Sequence, residues 1–256
     1  MITFIFNEIL YKPLFNLLIF LYQTVAFHDL GVAIIILTIL IRLALYPLSK
    51  KSIQAQKEMS AIQPEIKKTQ EQYKHNKEEQ MKRVMALYKE KKVNPLSGCL
   101  PILIQLPILI ALYRVFLAGF NDGSLDYLYG FMSNPGKINH MFLGLIDISS
   151  KKNIILAVIA GGLQFYQSKM VLDEQMKHRP PATRESGERS GHRMMATDQK
   201  QDDFATSMSK QMTYMMPIMT TVISYTLPAG LALYWAATTS FSIIQQWMVF
   251  KKKNDR

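Results

Sequence analysis

The chain has 256 residues, with 30 Lys and Arg against 19 Asp and Glu, a net charge of +11, 49% hydrophobic residues and a mean hydropathy of +0.04. A single cysteine, Cys99, excludes an internal disulfide framework and a multi-cysteine zinc or iron–sulfur site. The averages describe a basic soluble protein, but the charges and the apolar residues fall in separate blocks instead of alternating on helix faces, which argues against that class.

In chain order, Met1 to Ile9 carries Glu8 and no basic residue, so it is a poor secretory signal. Pro13 to Phe27 is apolar with Asn16, Gln23 and Thr24 interspersed. It falls short of the ~20 residues expected of a spanning helix, which favours an interfacial helix with its polar residues toward water within segment 1–30. The first clear span is 31–48, GVAIIILTILIRLALYPL, with Arg42 its one charge. At 1.5 Å per residue it reaches about 27 Å, close to a hydrocarbon core of roughly 30 Å.

Residues 51–93 are mostly helix formers with sparse apolar positions, among them Ile53, Met59, Ile62, Ile66, Val84 and Leu87. They read as two antiparallel amphipathic helices turning near His75-Asn76, with Pro64 interrupting the first. A second span covers 96–118, apolar apart from Gln105 and Arg114 and containing Pro101 and Pro107. The third covers 153–172 with Lys169 as its charge, and residues 173–210 mix both signs of charge with Pro180, Pro181, Gly187 and Gly191, the composition of a mobile loop. Spans at 212–227 and 231–250 are divided by the turn signal Pro228-Ala229-Gly230, and a short basic tail, 251–256, follows. The expected fold is therefore an all-α polytopic membrane protein: a five-helix transmembrane core, an outer interfacial helix and a cytoplasmic two-helix hairpin.

Lys and Arg crowd 49–94, the 173–210 loop and the tail, whereas the 121–150 loop has Asp122, Asp126 and Asp147 against Lys137. The positive-inside rule then puts the N-terminus outside and the C-terminus in the cytoplasm. The same placement explains most of the positive charge as topology and contact with anionic lipid, and no nucleic-acid motif is present.

Arg42 is the most informative residue. A charge inside a spanning helix costs something like 2.5–3.5 kcal/mol on insertion scales, so it normally faces protein or water. Eight residues separate it from Lys50, about 12 Å along a helix axis, in the cytoplasmic half of the bilayer. Snorkelling to the headgroups is one reading; a wet cytoplasmic cavity is the other. Gln105, Gln164, Thr221 and Gln245 lie in other spans and are available to line such a cavity, although ordinary helix–helix hydrogen bonding is the common fate of such residues. The five spans contain no Asp or Glu, so an acidic or polar visitor is the natural counter-group for Arg42. No metal-ligand spacing, phosphate loop or nucleophile motif occurs, and no catalytic residue, metal or cofactor is expected. A small anion channel or solute carrier using Arg42 remains the alternative.

The sequence resembles the YidC-type membrane-protein insertases in GVAIIILTILIRLALYPLSKKS and QPEIKK, then NPLSGCLPILIQLPILIALYRVF, then the Met-rich QMTYMMPIMT, and finally LPAGLALYWAATTSFSIIQQ, in that order from Gly31 to Gln246. The resemblance implies a groove open to cytoplasm and lipid and closed outside, in a bacterial inner-membrane protein that is not an enzyme. Arg42 matches the groove arginine, and Gln164 in GGLQFYQ and Trp235 in LALYW look like other groove positions. The implied mechanism recruits the hydrophilic outer segment of a nascent membrane protein into the groove, across a locally thinned bilayer, and releases the apolar segment sideways into lipid. Nascent membrane proteins and anionic lipid are the expected partners, with the ribosome and the general secretion channel left open. Unlike some relatives, the protein is expected to lack a large outer domain and a long basic C-terminal extension; the Met-rich stretch reads either as packing or as a soft surface for varied clients.

Overall fold

The structure, a computed structural model, describes residues 4, 6–94, 100–118, 127–177 and 199–251. The start of the expected second span at 96–99, the middle of the expected mobile loop and all of the tail after Lys251 lie outside these residues. The fold is mostly helical.

A wide helical turn, Asn7–Tyr11, runs straight into α1, Lys12–Thr24. The helix buries Phe15, Asn16, Leu18, Ile19, Leu21 and Tyr22. Its polar residues were expected to face water, but Asn16 does the reverse. Its amide donates to the carbonyls of Lys12 (2.8 Å) and Tyr127 (2.9 Å) and its oxygen accepts from the Tyr129 N–H (2.8 Å). A buried amide satisfied on both ends costs little, and here it ties α1 to the 127–150 loop.

Helix α2, Leu30–Ala44, starts at Asp29, whose carboxylate accepts from Val32 N–H at 2.9 Å. It stops well before the end of the expected span 31–48. The chain bends by 67° at Leu45 and continues as α3, Tyr46–Gln72. Pro47 explains the break: without an N–H it cannot bond the Leu43 carbonyl, and its ring would collide there, whereas at the start of a new helix it is well placed. Arg42 therefore occupies the last turn of a 15-residue helix about 22 Å long, and Lys50 lies around the bend, not further along the same axis.

Helix α3 runs through Pro64 instead of being interrupted by it. It folds back on α4, Lys77–Glu90, which is capped by Asn76 accepting from Glu79 N–H at 3.1 Å. Ile62, Ile66 and Val93 form the small core of this helical hairpin, and Lys91 pairs with Glu65 at 2.8 Å. That hydrogen bond holds the Lys91 ammonium above its usual range.

Four longer helices complete the bundle: α5, Leu100–Ala118; α6, Ile154–Lys177; α7, Gln199–Thr226; and α8, Ala229–Lys251. Thus α6 and α7 extend into the segment expected to be a loop, at both ends. By length and composition, Ile154–Glu174 is able to cross a membrane alone, α2 with α3 as a bent pair, and Leu103–Phe116 is a shorter apolar helix.

A small feature breaks the all-α expectation. Strands β1, Met141–Phe142, and β2, Ile146–Asp147, pair antiparallel around Leu143 and Gly144, both with positive φ (51° and 69°), the geometry that tight hairpins favour. Leu143 N–H donates to Asp29 at 2.6 Å, and the Phe142 ring covers Gly31 so closely that an added Cβ would lie 2.2 Å from it. Nearby, the otherwise orphaned N–H groups of Ala229 and Gly230 at the start of α8 donate to Ser150 and Ile148, both at 2.8 Å. Lys152 N–H closes the set on Tyr225.

The core lies at this β-hairpin end: Phe15, Leu18 and Ile19 of α1, Leu30, Ile34 and Leu37 of α2, Leu112 and Val115 of α5, Ile148 and Leu231. Toward the opposite end the buried side chains include polar ones, Ser52, Glu174, Gln245 and Gln246. Leu40 and Leu43 on α2 and Leu103 and Leu106 on α5 are exposed. One buried contact bridges this end. Lys57 of α3 pairs with Glu174 of α6 at 3.1 Å, donates to the Phe250 carbonyl of α8 at 3.3 Å, and lies over the Phe250 ring.

Candidate functional site

Arg42 lies in the last turn of α2, away from the β-hairpin end of the helix. Its guanidinium donates to Gln105 Oε1 of α5 at 3.0 Å, and the Gln105 amide donates in turn to the hydroxyl oxygen of Tyr234 on α8. Three helices thus meet through a chain of one cation and two neutral polar groups. Among the described residues Arg42 has no carboxylate partner. A desolvated guanidinium with five N–H donors is only partly satisfied by one amide oxygen, so the site keeps donor capacity for an anionic or strongly polar group.

Of the six residues singled out in the sequence, Arg42 and Gln105 are in direct contact. The Thr221 hydroxyl donates to the Pro217 carbonyl at 2.9 Å and packs on Gly161, where an added Cβ would lie 1.8 Å from the hydroxyl oxygen. Its place is the close crossing of α6 and α7. Gln164 and Trp235 are half-buried on α6 and α8. Gln245 is 3% exposed.

Tyr234 was missed in favour of its neighbour Trp235, one step and about 100° around the helix. The signal was available in the spacing, since Tyr234, Thr238 and Gln245 recur at helical intervals and form a polar stripe along α8. All three are buried. The Thr238 hydroxyl neighbours that of Tyr234, whereas Gln245 Nε2, Gln246 Oε1 and Ser224 Oγ are buried side-chain atoms with no hydrogen-bond partner among the described residues. Each such group costs roughly 1–3 kcal/mol if left dry, so the part of α8 that carries Gln245 and Gln246 suits contact with water or a polar ligand.

The one charge of α5, Arg114, is placed at the opposite end of the helix from Gln105. Arg114 donates to Asn7 at 2.9 Å and stacks over Phe6, joining α5 to the N-terminal segment. Among the described residues no group of three or more His, Cys, Asp or Glu is arranged to hold a metal.

Residues 20–256 match the 60Kd inner membrane protein family. The chain is 34% identical over 245 residues to a membrane protein insertase YidC of Fusobacterium nucleatum, covering 95% of this chain and 98% of that one. It is 32% identical over 223 residues to the membrane protein insertase YidC of Chlamydia trachomatis and 33% identical over 248 residues to that of Vesicomyosocius okutanii. Those matches cover 86% and 96% of this chain but 25% and 37% of the longer relatives. The chain belongs to this family, the YidC-type insertases.

Proposed function

We propose that the chain is a bacterial inner-membrane insertase. Its five spans are α2, α5, α6, α7 and α8, with α1 closing the outer end beside the β-hairpin and the α3–α4 hairpin in the cytoplasm. The observation that carries the reading is Arg42: a cation with only neutral partners among the described residues, at the end of a helix too short for the bilayer. A hydrophilic, often acidic, outer segment of a nascent membrane protein enters from the cytoplasm and takes the place of the missing counter-ion. The short α2 reduces the thickness of hydrocarbon that segment must pass, and Gln245 Nε2, without a hydrogen-bond partner among the described residues, offers a further polar contact, so its desolvation cost falls. The tightly sewn outer end, bonded through Asp29, Ser150 and Ile148, prevents an open pore. The apolar segment leaves sideways past exposed Leu40, Leu43 and Leu103 into lipid. No covalent chemistry enters this scheme.

Liposomes containing the purified chain should insert a single-span client with an acidic outer tail. Arg42→Ala should lower that insertion about tenfold, the loss of one charge-assisted contact, and affect an uncharged tail less. Insertion no greater than in empty liposomes, or saturable anion flux in its place, overturns the reading.

A further inference from the structure

A cavity of about 610 Å³ opens between the ends of α6 and α8 on the helical-hairpin side, apart from Arg42. Its size falls in the range of roughly 300–1,000 Å³ usual for small-molecule sites. Phe165, Trp247 and Phe250 supply apolar walls, and Lys169, Asp173 and Lys251 supply charge. Glu174 also borders it, but that carboxylate is committed to Lys57. Asp173 and Lys169 form no ion pair among the described residues, and Lys251 lies 4.9 Å over the Trp247 ring. The cavity therefore offers two cations and one carboxylate around an aromatic wall.

We infer that this cavity binds the headgroup of an aminophospholipid, its phosphate between Lys169 and Lys251 and its primary ammonium on Asp173. The charge pattern selects the ligand. A phosphatidylglycerol headgroup offers Asp173 only neutral hydroxyls, weaker donors to a carboxylate than an ammonium, and a choline headgroup has no N–H or O–H to donate to it. The aromatic residues belong at the level where a phospholipid changes from acyl chain to headgroup. This placement rests on the membrane-spanning reading of α6 and α8 given above.

The test uses the full chain in detergent, titrated with short-chain phosphatidylethanolamine, phosphatidylglycerol and phosphatidylcholine and followed by native mass spectrometry. Phosphatidylethanolamine should bind about tenfold tighter than either other lipid, the margin expected for one charge-assisted hydrogen bond. Asp173→Asn should bring phosphatidylethanolamine and phosphatidylglycerol within about twofold of each other, and Lys169→Ala with Lys251→Ala should weaken both about tenfold. Equal binding of the three lipids by the unmodified chain, or an unchanged preference in Asp173→Asn, refutes the inference. So does displacement of the lipid by inorganic phosphate at equal concentration, which would assign the cavity to a free anion. Client insertion is measured on the same preparations. Loss of lipid selectivity with insertion intact removes only this inference, and selectivity retained without insertion removes only the insertase reading.

Discussion

Lys57 and Glu174 meet at 3.1 Å with side chains 11% and 9% exposed, joining the helical hairpin to the bundle. Breaking one partner of a buried pair strands the other charge. Glu174→Gln should therefore destabilise the chain by about 3–5 kcal/mol, whereas replacing both residues with Met should cost much less. Denaturant unfolding in detergent measures the difference; equal losses in the single and double variants would show that packing, not charge, holds this junction.

Gln105 stands between Arg42 and Tyr234. Gln105→Glu places a carboxylate where the amide oxygen was, giving Arg42 an internal partner. Insertion of an acidic-tailed client should then fall about tenfold, equivalent to ~1.4 kcal/mol, with thermal stability unchanged or raised. A variant that inserts acidic tails as well as the unmodified chain would mean that Arg42 acts without direct charge contact.

Gly161 and Thr221 allow α6 and α7 to cross closely. Gly161→Ala should cost about 1–3 kcal/mol from overpacking. Adding Thr221→Ala should recover part of it, because the oxygen nearest the new Cβ is gone; a double-mutant cycle in detergent reads the coupling.

The Asp147 carboxylate accepts from the Ser149 hydroxyl (2.7 Å) and the Ser149 N–H (2.9 Å). The Ser149 side-chain bond is the main cause of a carboxyl held below the ordinary aspartate range, with His140 adding a smaller push in the same direction. A depressed value means the turn's stabilisation is complete above the ordinary aspartate value and is lost as pH falls below it, through the folded-state value. Carboxyl NMR titration should give a midpoint below that of an unstructured aspartate, and Ser149→Ala should raise it.

The helices and their order were legible because long apolar blocks and a polar insert differ so sharply in composition. The β-hairpin was not, since Met141 to Asp147 is too short for an alternating pattern and its pairing depends on docking against Asp29 and Gly31. The break at Leu45 had a visible cause in Pro47, but an uninterrupted apolar run outweighed it. At the site, Arg42 stood out as a charge in an apolar span. Tyr234 did not, because tyrosine is unremarkable beside tryptophan until the helical spacing to Thr238 and Gln245 is considered.

The bend at Leu45 joins a short helix to a 27-residue one about 40 Å long, with no slack chain between them. Force applied at the Tyr73–Asn76 tip acts as torque about a pivot three residues from Arg42. The Lys57 to Glu174 pair lies partway along that arm and works as its brace. A ligand pressing on the distant tip is therefore mechanically in series with Arg42.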